Sequence, residues 1–155
     1  MKNYNLKTKK YRIINKYSNS KNFYYIRAAA KNINCPTHIL KKIFYSKNSN
    51  WLIKSYVVKN RNCTIDLLRE ISETKDWFVA ASIPHNKNCT EDLIINLLNN
   101  SIESNKPHLI STMLNKLENH VLTTNLLKKM FKECNFSFIK EMIVGHPNWK
   151  LSDFE

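Results

Sequence analysis

The chain has 155 residues, is 43% apolar, and carries 25 Lys and Arg against 12 Asp and Glu, a formal net charge of +13. Its length suits one domain with a real core, but a single glycine excludes barrels and sandwiches, whose many tight turns need glycine. No apolar run approaches the roughly 18 residues of a membrane span, the N-terminus lacks the apolar stretch of a secretory signal, and four cysteines without C-x-x-C spacing favour a reduced, cytoplasmic protein.

Residues 1–22 form a basic segment ahead of the repeating part of the sequence. Three tyrosines are interleaved with six of its seven cations: Lys7, Lys9, Lys10, Arg12, Lys16 and Lys21, with Tyr4, Tyr11 and Tyr17. Lysine binds phosphate as a point charge, and tyrosine stacks on unpaired bases. The segment therefore predicts a contact with nucleic acid.

An Asn-Cys pair occurs three times in similar surroundings. The asparagines of these pairs, Asn34, Asn62 and Asn88, are 28 and 26 residues apart, a period typical of solenoids. Each of them follows another Asn by two residues and precedes an apolar pair on one helical face. These apolar pairs are Ile39–Leu40, Leu67–Leu68 and Leu93–Ile94. Each repeat therefore reads as a short helix, an Asn-rich corner and a second helix.

The period continues toward the C-terminus without the Asn-Cys pair. The sequence "THILKKIF" from Thr37 reappears as "TNLLKKMF" from Thr124, and "HPNW" brings Asn148 to the corner position. We predict about five repeats within a repeat domain at 23–155. Their approximate bounds are 23–50, 51–76, 77–106, 107–135 and 136–155. Phe23, Tyr25, Phe44 and Trp51 are expected in the core or between repeats.

The corners "KNINCPTHIL", "KNRNCTIDLL" and "HPNWKLSDF" resemble those of the variant leucine-rich repeat family, whose signature N-P-N-x-P-x-x-L-L follows a short "VRxAVA"-like helix. The stretch "IRAAAKNINCPTHIL" is the nearest match, and Pro36 and Pro147 lie at family proline positions. The resemblance implies an all-α fold: a right-handed α-solenoid, or superhelix, of short two-helix repeats that is HEAT-like in appearance. Repeats of this kind host many partners, so the resemblance indicates the fold more than the function.

The repeated cysteines, Cys35, Cys63 and Cys89, hold equivalent positions near the start of a second helix. Equivalent residues on neighbouring helices lie roughly 8–10 Å apart, too far for a disulfide or a shared metal ion. We therefore expect a structural role. The alternative is a redox-active thiol whose pKa is lowered at a helix N-terminus, with Cys35 as the first candidate. Some members of the family bind iron–sulfur through an N-terminal cysteine cluster, but residues 1–34 contain no cysteine. No metal and no cofactor are expected.

The charge is distributed unevenly along the chain. Residues 1–65 contain fifteen Lys and Arg and no Asp or Glu, whereas residues 66–155 contain ten bases and twelve acids. Beyond the N-terminal segment, the cations continue as Arg27, Lys31, Lys41, Lys42, Lys54, Lys59 and Arg61. This asymmetry predicts a non-enzymatic module that binds nucleic acid mainly through phosphates. An acidic protein surface or an anionic membrane would satisfy the same charge.

Two other functions fit the sequence. The first is a protein–protein interaction scaffold of the repeat type, in which A/T-rich codons account for the lysines. The second is a HEAT-like DNA glycosylase, with Asp66 and Asp76 near Trp51 and Trp77 in the register. The sequence contains no P-loop, G-x-S-x-G motif or dinucleotide fingerprint. We therefore predict no enzymatic activity and no small-molecule substrate.

Overall fold

A computed structural model describes the backbone of residues 2–74, 76–116 and 122–149, and their side chains from Lys10 onward except at Lys116. Every regular element in these residues is a helix, so the all-α prediction is confirmed. The α-helices are α1 (Lys2–Ser18), α2 (Phe23–Lys31), α3 (Thr37–Phe44), α4 (Trp51–Lys59), α5 (Ile65–Ser72), α6 (Trp77–Ala80), α7 (Glu91–Glu103), α8 (Pro107–Lys116), α9 (Thr124–Glu133) and α10 (Ser137–Val144). A 3₁₀ turn, Ile83–His85, follows α6. None of these helices has the length and apolar character needed to cross a bilayer.

The chain forms two compact units, Met1–Cys89 and Thr90–Glu155. We call them the N-terminal unit and the C-terminal unit. The division falls inside the repeat predicted at 77–106. The N-terminal unit contains α1 to α6 and the 3₁₀ turn, and the C-terminal unit contains α7 to α10.

Helix packing in the N-terminal unit follows the order of the helical pairs. Helix α2 packs against α4, and α4 packs against α6 and the 3₁₀ turn, while α3 lies against α2 and α4. The apolar pairs that the sequence assigns to one helical face, Ile39–Leu40 and Leu67–Leu68, are buried. Burial of such stripes stabilises short helices that would be marginal in isolation.

The basic N-terminal segment is a helix that docks onto the next helical pair. Helix α1 packs against α2 and α3 and buries Ile14 and Ser18. The ring of Tyr17 stacks on that of Tyr25 with centroids 4.8 Å apart. The docked part of α1 therefore belongs to the core of this unit, and one of its tyrosines already has an aromatic partner.

Side-chain oxygens set where the short helices begin. Asn22, Asn50, Thr64 and Asp76 accept a hydrogen bond from a backbone N–H in the first turn of α2, α4, α5 and α6 respectively. Such N-caps satisfy amide donors that have no partner inside the helix and are worth about 1 kcal/mol each.

Each Asn-rich corner is closed by its first asparagine. The Oδ1 atoms of Asn32, Asn60 and Asn86 accept the backbone N–H two residues later, at distances of 2.9, 3.0 and 2.8 Å. The backbone carbonyl of the same asparagine accepts the cysteine N–H at 2.9 Å in all three corners. The recurring Asn-x-Asn-Cys therefore builds one turn geometry three times.

The carboxamide N–H groups of these asparagines hold each corner to the one before it. In the second corner, Asn60 and Asn62 each donate two hydrogen bonds to backbone carbonyls of the first corner. Asn60 Nδ2 reaches the carbonyls of Ala30 (2.7 Å) and Asn32 (2.9 Å), and Asn62 Nδ2 reaches those of Ile33 (2.8 Å) and Cys35 (2.9 Å).

The third corner binds the second in the same way. Asn86 Nδ2 donates to the carbonyls of Val58 and Asn60, and Asn88 Nδ2 donates to those of Arg61 (2.9 Å) and Cys63 (2.8 Å). Asn60 and Asn86 are buried. Their donors therefore satisfy carbonyls that water would not reach.

The C-terminal unit contains a related corner. Its helices pack as α7 on α8 and α9, and α10 on α8 and α9. Asn148 Nδ2 donates to the carbonyl of Leu122 (2.8 Å), and His146 Nδ1 replaces the asparagine oxygen as acceptor of the Asn148 N–H (3.2 Å). Burial lowers the pKa of His146, which favours the neutral ring that this hydrogen bond needs.

Two threonines support the alignment of α3 with α9. Thr37 Oγ1 donates to the carbonyl of Asn62 at 2.8 Å, and Thr124 Oγ1 donates to that of Asn148 at 3.0 Å. The two residues were aligned from sequence, and each makes the same contact within its own unit. The apolar end predicted for the last repeat, residues 150–155, lies outside the described residues.

Replacing a corner asparagine should destabilise the N-terminal unit more strongly where its carboxamide binds another corner. Asn60→Ala removes two hydrogen bonds to carbonyls and the acceptor for the Asn62 N–H, so we expect a loss of about 2–4 kcal/mol in the free energy of unfolding. Asn32→Ala is the matched control: its side chain makes only the hydrogen bond within its own corner, and we expect a loss of about 1 kcal/mol or less. Urea unfolding followed by circular dichroism measures both. Equal losses would contradict the role of the inter-corner bonds.

Candidate nucleic-acid interface

The positive charge of the protein is concentrated in the N-terminal unit. Residues 1–89 contain eighteen Lys and Arg against four Asp and Glu, a formal charge of +14. Residues 90–155 contain seven against eight, a formal charge of −1. An anionic partner would therefore be attracted to the N-terminal unit.

One cavity of this unit lies beside the first two corners, and we call it the corner groove. It has a volume of about 600 Å³. Helix α1 lines it with Lys10, Tyr11 and Ile14, the first corner with Ile33 and Asn34, and the second corner with Arg61 and Asn62. All of these lining residues are cationic, neutral polar or apolar. The site therefore combines positive charge with an apolar surface.

A second cavity, also of about 600 Å³, lies between the end of α1 and α3, and we call it the α3 groove. Its lining residues are Ser18, Asn19, His38, Lys41, Lys42, Tyr45, Ser46 and Asn48. The hydroxyl of Tyr11, which lines the corner groove, is hydrogen-bonded to His38 Nε2 at 3.1 Å. This bond joins the linings of the two grooves, so their cations lie along one continuous stretch of surface.

Most of the cations predicted to bind nucleic acid are exposed. The exposed ones are Lys10, Arg12, Lys16, Lys21, Lys31, Lys41, Lys42, Lys59 and Arg61, whereas Arg27 and Lys54 are half-buried. Lys7 and Lys9 belong to α1, but their side chains lie outside the described part of the structure. Four of the thirteen residues line a groove: Lys10 and Arg61 in one, Lys41 and Lys42 in the other.

Two of the predicted cations form ion pairs within the protein. Lys41 Nζ lies 2.7 Å from Glu70 Oε2, and Lys54 Nζ lies 3.7 Å from Asp76 Oδ2. Lys54 also lies over the ring of Phe44, 5.4 Å from its centroid. A phosphate would have to compete with these carboxylates.

Two further cations share one aromatic ring. Arg27 and Lys31 lie 5.3 and 5.0 Å from the centroid of Tyr56, and an Arg27 guanidinium nitrogen donates to the Tyr56 hydroxyl at 3.3 Å. Arg27 therefore has a structural role. By contrast, Lys10, Lys42 and Arg61 form no ion pair with any described residue.

Glu70 is the acid closest to the α3 groove cations. It accepts hydrogen bonds from Lys41 and, at 2.8 Å, from the hydroxyl of Tyr45. The bond from Lys41, followed by that from Tyr45, lowers the pKa of Glu70. Burial, followed by the bond to Glu70, raises the pKa of Tyr45 to about 12. Glu70 is therefore ionised at neutral pH and forms an ion pair with Lys41.

The four cysteines are buried or half-buried. Cys35, Cys63 and Cys134 are buried and Cys89 is half-buried. Burial raises the pKa of Cys35 and Cys63 to about 12 and that of Cys89 to about 11. The redox alternative required a lowered pKa at Cys35, and it is wrong because desolvation outweighs the helix N-terminus. Within the described ranges, no group of three or more His, Cys, Asp or Glu is placed to hold a metal ion.

The two carboxylates considered for glycosylase chemistry have local structural contacts. Asp76 caps α6 and pairs with Lys54, and Asp66 lies 3.8 Å from Arg69 on the exposed side of α5. Neither of them lines a groove.

Trp51 is not in the core, but it meets the other expectation for it, a contact between predicted repeats. Its side chain is 56% exposed and its ring lies 6.2 Å from that of Phe78, which is 77% exposed. Tyr25 is also largely exposed, whereas Phe44 is buried. Trp51 and Phe78 occupy the first turns of α4 and α6, where a side chain reaches past the end of the packed helices.

Sequence reasoning did not identify Tyr11, Ile33 or Asn34 as a set. The exposed Ile33 in an otherwise polar corner was the available signal, because an apolar residue there has no helical face to join. A scan against protein-family models, a search of curated proteins and a search of solved structures each found no match to this chain.

The thiols should be almost unreactive in the folded protein. With pKa values near 11 and 12, Cys35, Cys63 and Cys89 hold very little thiolate at pH 8, and reactivity should rise only well above pH 9. We expect reaction with Ellman's reagent at pH 8 to be at least about a hundredfold slower than in urea, where all four cysteines react. A thiol that reacts rapidly in the folded state would restore the redox hypothesis.

Proposed function

We propose that the protein is a non-enzymatic binding module that holds nucleic acid mainly through phosphates, using the cations of the corner groove and the α3 groove. The observation that carries the proposal is the coincidence of a +14 unit with two adjoining grooves lined by cations and by no acid. Lys and Arg side chains that displace the counterions condensed on the nucleic-acid backbone raise the affinity in proportion to the number of phosphate contacts, without reading sequence.

The side-chain types fit this kind of binding. Lys10, Lys42 and Arg61 keep their charge available because no described acid pairs with them. His38 contributes a hydrogen-bonding ring between them. Lysine is a point charge on a long stem, which suits phosphates that vary in position along a backbone. With one Arg in the grooves, bidentate reading of guanine is limited.

We also propose that the helical pairs form a right-handed α-solenoid of about five repeats, related to variant leucine-rich repeats. The supporting observation is the recurrence of the same inter-corner hydrogen bonds from Asn60, Asn62, Asn86 and Asn88. Stacked repeats with a positively charged terminal portion offer the extended surface that a nucleic acid strand would follow.

A protein-interaction scaffold is the second candidate. The exposed rings of Trp51 and Phe78 favour it, because exposed aromatic pairs are common at protein interfaces. A DNA glycosylase has less support, since Asp66 and Asp76 are engaged by Arg69, Lys54 and the α6 N-terminus.

The groove cations should account for most of the salt dependence of binding. We expect the protein to bind labelled oligonucleotides with submicromolar Kd at about 50 mM salt, and the triple variant Lys10→Gln, Lys42→Gln, Arg61→Gln to lower the log–log salt slope by about 2–3. Fluorescence anisotropy from about 50 to 300 mM salt measures both. These substitutions leave the packing of α1 on α2 and α3 intact. Deleting residues 1–22 would instead remove α1 and expose the surface of α2 and α3 that it covers.

The matched control removes the same charge outside both grooves: Lys21→Gln, Lys59→Gln, Lys87→Gln. We expect it to change the slope by less than about 1. Equal changes of the salt slope in the two triple variants would mean that nucleic acid is attracted to the overall positive charge and not to the grooves. A Kd above about 100 μM at physiological salt would mean only non-specific attraction and would overturn the proposal.

Freeing Lys41 should strengthen binding. Glu70→Gln removes the carboxylate that occupies Lys41, so we expect a tighter Kd by about two- to fivefold and a salt slope larger by about 1. Asp66→Asn makes the same change in net charge on the exposed side of α5, away from the grooves, and should have a smaller effect. Equal gains in the two variants would show that net charge alone, and not the freed lysine, determines affinity.

A further inference from the structure

The first corner has carboxamide N–H donors without an acceptor in the described part of the protein, whereas the equivalent donors of the next two corners are hydrogen-bonded. In the second and third corners of the N-terminal unit, every carboxamide of the Asn-x-Asn pair donates to carbonyls of the preceding corner. Asn32 and Asn34 hold the same positions in the first corner, where α1 precedes them instead of a corner. Within the described residues, the Nδ2 groups of Asn32 and Asn34 donate to no acceptor in the protein.

The free carboxamide of Asn34 lines the corner groove together with two cations. These cations are Lys10 and Arg61, whose side chains can only donate hydrogen bonds, whereas the carboxamide of Asn34 supplies two N–H donors and one acceptor. No carboxylate lines the groove, and the carboxamide of Asn62 is engaged by the carbonyls of Ile33 and Cys35. An arrangement of unpaired donors and cations is complementary to anionic oxygen atoms, as in a phosphate.

The lining of the groove also includes two isoleucines and a tyrosine ring. Ile33 is 61% exposed, which is unusual for isoleucine, and the buried Ile14 of α1 lines the same groove. The hydroxyl of Tyr11 is hydrogen-bonded to His38, and the Tyr11 ring lines the groove. This apolar surface lies beside the phosphate-binding groups and is large enough to accept a flat ring.

We propose that the corner groove binds one unpaired nucleotide of a single-stranded nucleic acid. Lys10, Arg61 and the carboxamide of Asn34 hold the phosphate, and Ile33 with the ring of Tyr11 receives the base. The inference rests on the proposed function and narrows it to a single-stranded ligand. Stacking on apolar and aromatic side chains tolerates any base, so the site would be largely independent of sequence.

A duplex would use this groove only in part. Its bases are stacked and paired inside the helix, so it offers phosphates to Lys10 and Arg61 but nothing to the exposed Ile33. An unpaired base contributes stacking that corresponds to at least about a fivefold gain in affinity. The preference for single strands should therefore come from the apolar part of the groove, and not from its charge.

The test uses the full chain and fluorescence anisotropy with a labelled 12-nucleotide oligo-dT and a duplex of the same length at about 150 mM salt. We expect the single strand to bind at least about fivefold more tightly than the duplex. Ile33→Ser should abolish most of this preference and leave the salt slope unchanged, because no charge is removed. The exposed position of Ile33 allows this change without loss of core packing.

A second pair of variants separates the groove from overall charge. Asn34→Asp introduces a negative charge among the phosphate-binding groups, and we expect it to weaken oligo-dT binding by at least about tenfold. Asn100→Asp makes the same change on the exposed face of α7 and should weaken binding less than about twofold. The Asn34 side chain makes no hydrogen bond to a described residue, so the melting temperature should stay close to that of the original protein.

The outcomes distinguish this inference from the proposed function. Equal affinity for the two oligonucleotides, or equal effects of Asn34→Asp and Asn100→Asp, would overturn the single-strand site and leave phosphate binding standing. No binding of either oligonucleotide would overturn both. Displacement of oligo-dT by polyglutamate at equal charge concentration would also overturn the nucleotide site, because it would show that the groove accepts acidic protein equally well.

Discussion

The carboxamide of the corner asparagine is the interaction on which the N-terminal unit depends. It offers one acceptor, which closes its own corner, and two donors, which bind carbonyls of the preceding corner. Asn60 and Asn86 do this in buried surroundings, where an unpaired carbonyl costs more than a hydrogen bond gains. No other side chain of this length offers both an acceptor and two donors. Aspartate has no N–H donors, and alanine has no polar group at all. The repetition of Asn-x-Asn therefore has a structural cause, and the neighbouring cysteine fills a small buried space.

The same hydrogen-bonding pattern explains why the first corner, where we propose a binding site, has carboxamide donors without a protein acceptor among the described residues. In the interior, Asn62 and Asn88 use their donors to hold the preceding corner. At the start of the series, Asn34 has the same chemistry and no corner to hold. Helix α1 packs against α2 and α3 in place of a preceding corner. It brings Lys10 and Tyr11 to the groove beside Asn34 but, within the described residues, no backbone carbonyl that binds the Asn34 carboxamide. The structural motif thus leaves unpaired donors at the first corner, and Lys10 and Arg61 beside them favour the binding of a phosphate.

Local pattern predicted the helices and corners well, because side-chain periodicity and N-caps act within a few residues. It also aligned Thr37 with Thr124 and assigned Asn148 to a corner, and the hydrogen bonds of these residues agree with that. Partners far apart in the chain were not predictable. Lys41 meets Glu70 and Lys54 meets Asp76 through packing of successive helical pairs, and periodicity specifies the face of a helix but not its neighbour. The exposure of Trp51 was missed for the same reason.

The central claim, that nucleic acid binds the grooves of the N-terminal unit, is tested most directly by a ¹⁵N–¹H correlation spectrum of the full chain during addition of oligo-dT. The account predicts progressive shifts of the backbone amides of Lys10, Asn34 and Arg61 and of the side-chain amide of Asn34. It also predicts that the signals of α7 to α10 stay in place. Shifts confined to the Trp51 indole and Phe78, or spread evenly over both units, would contradict it.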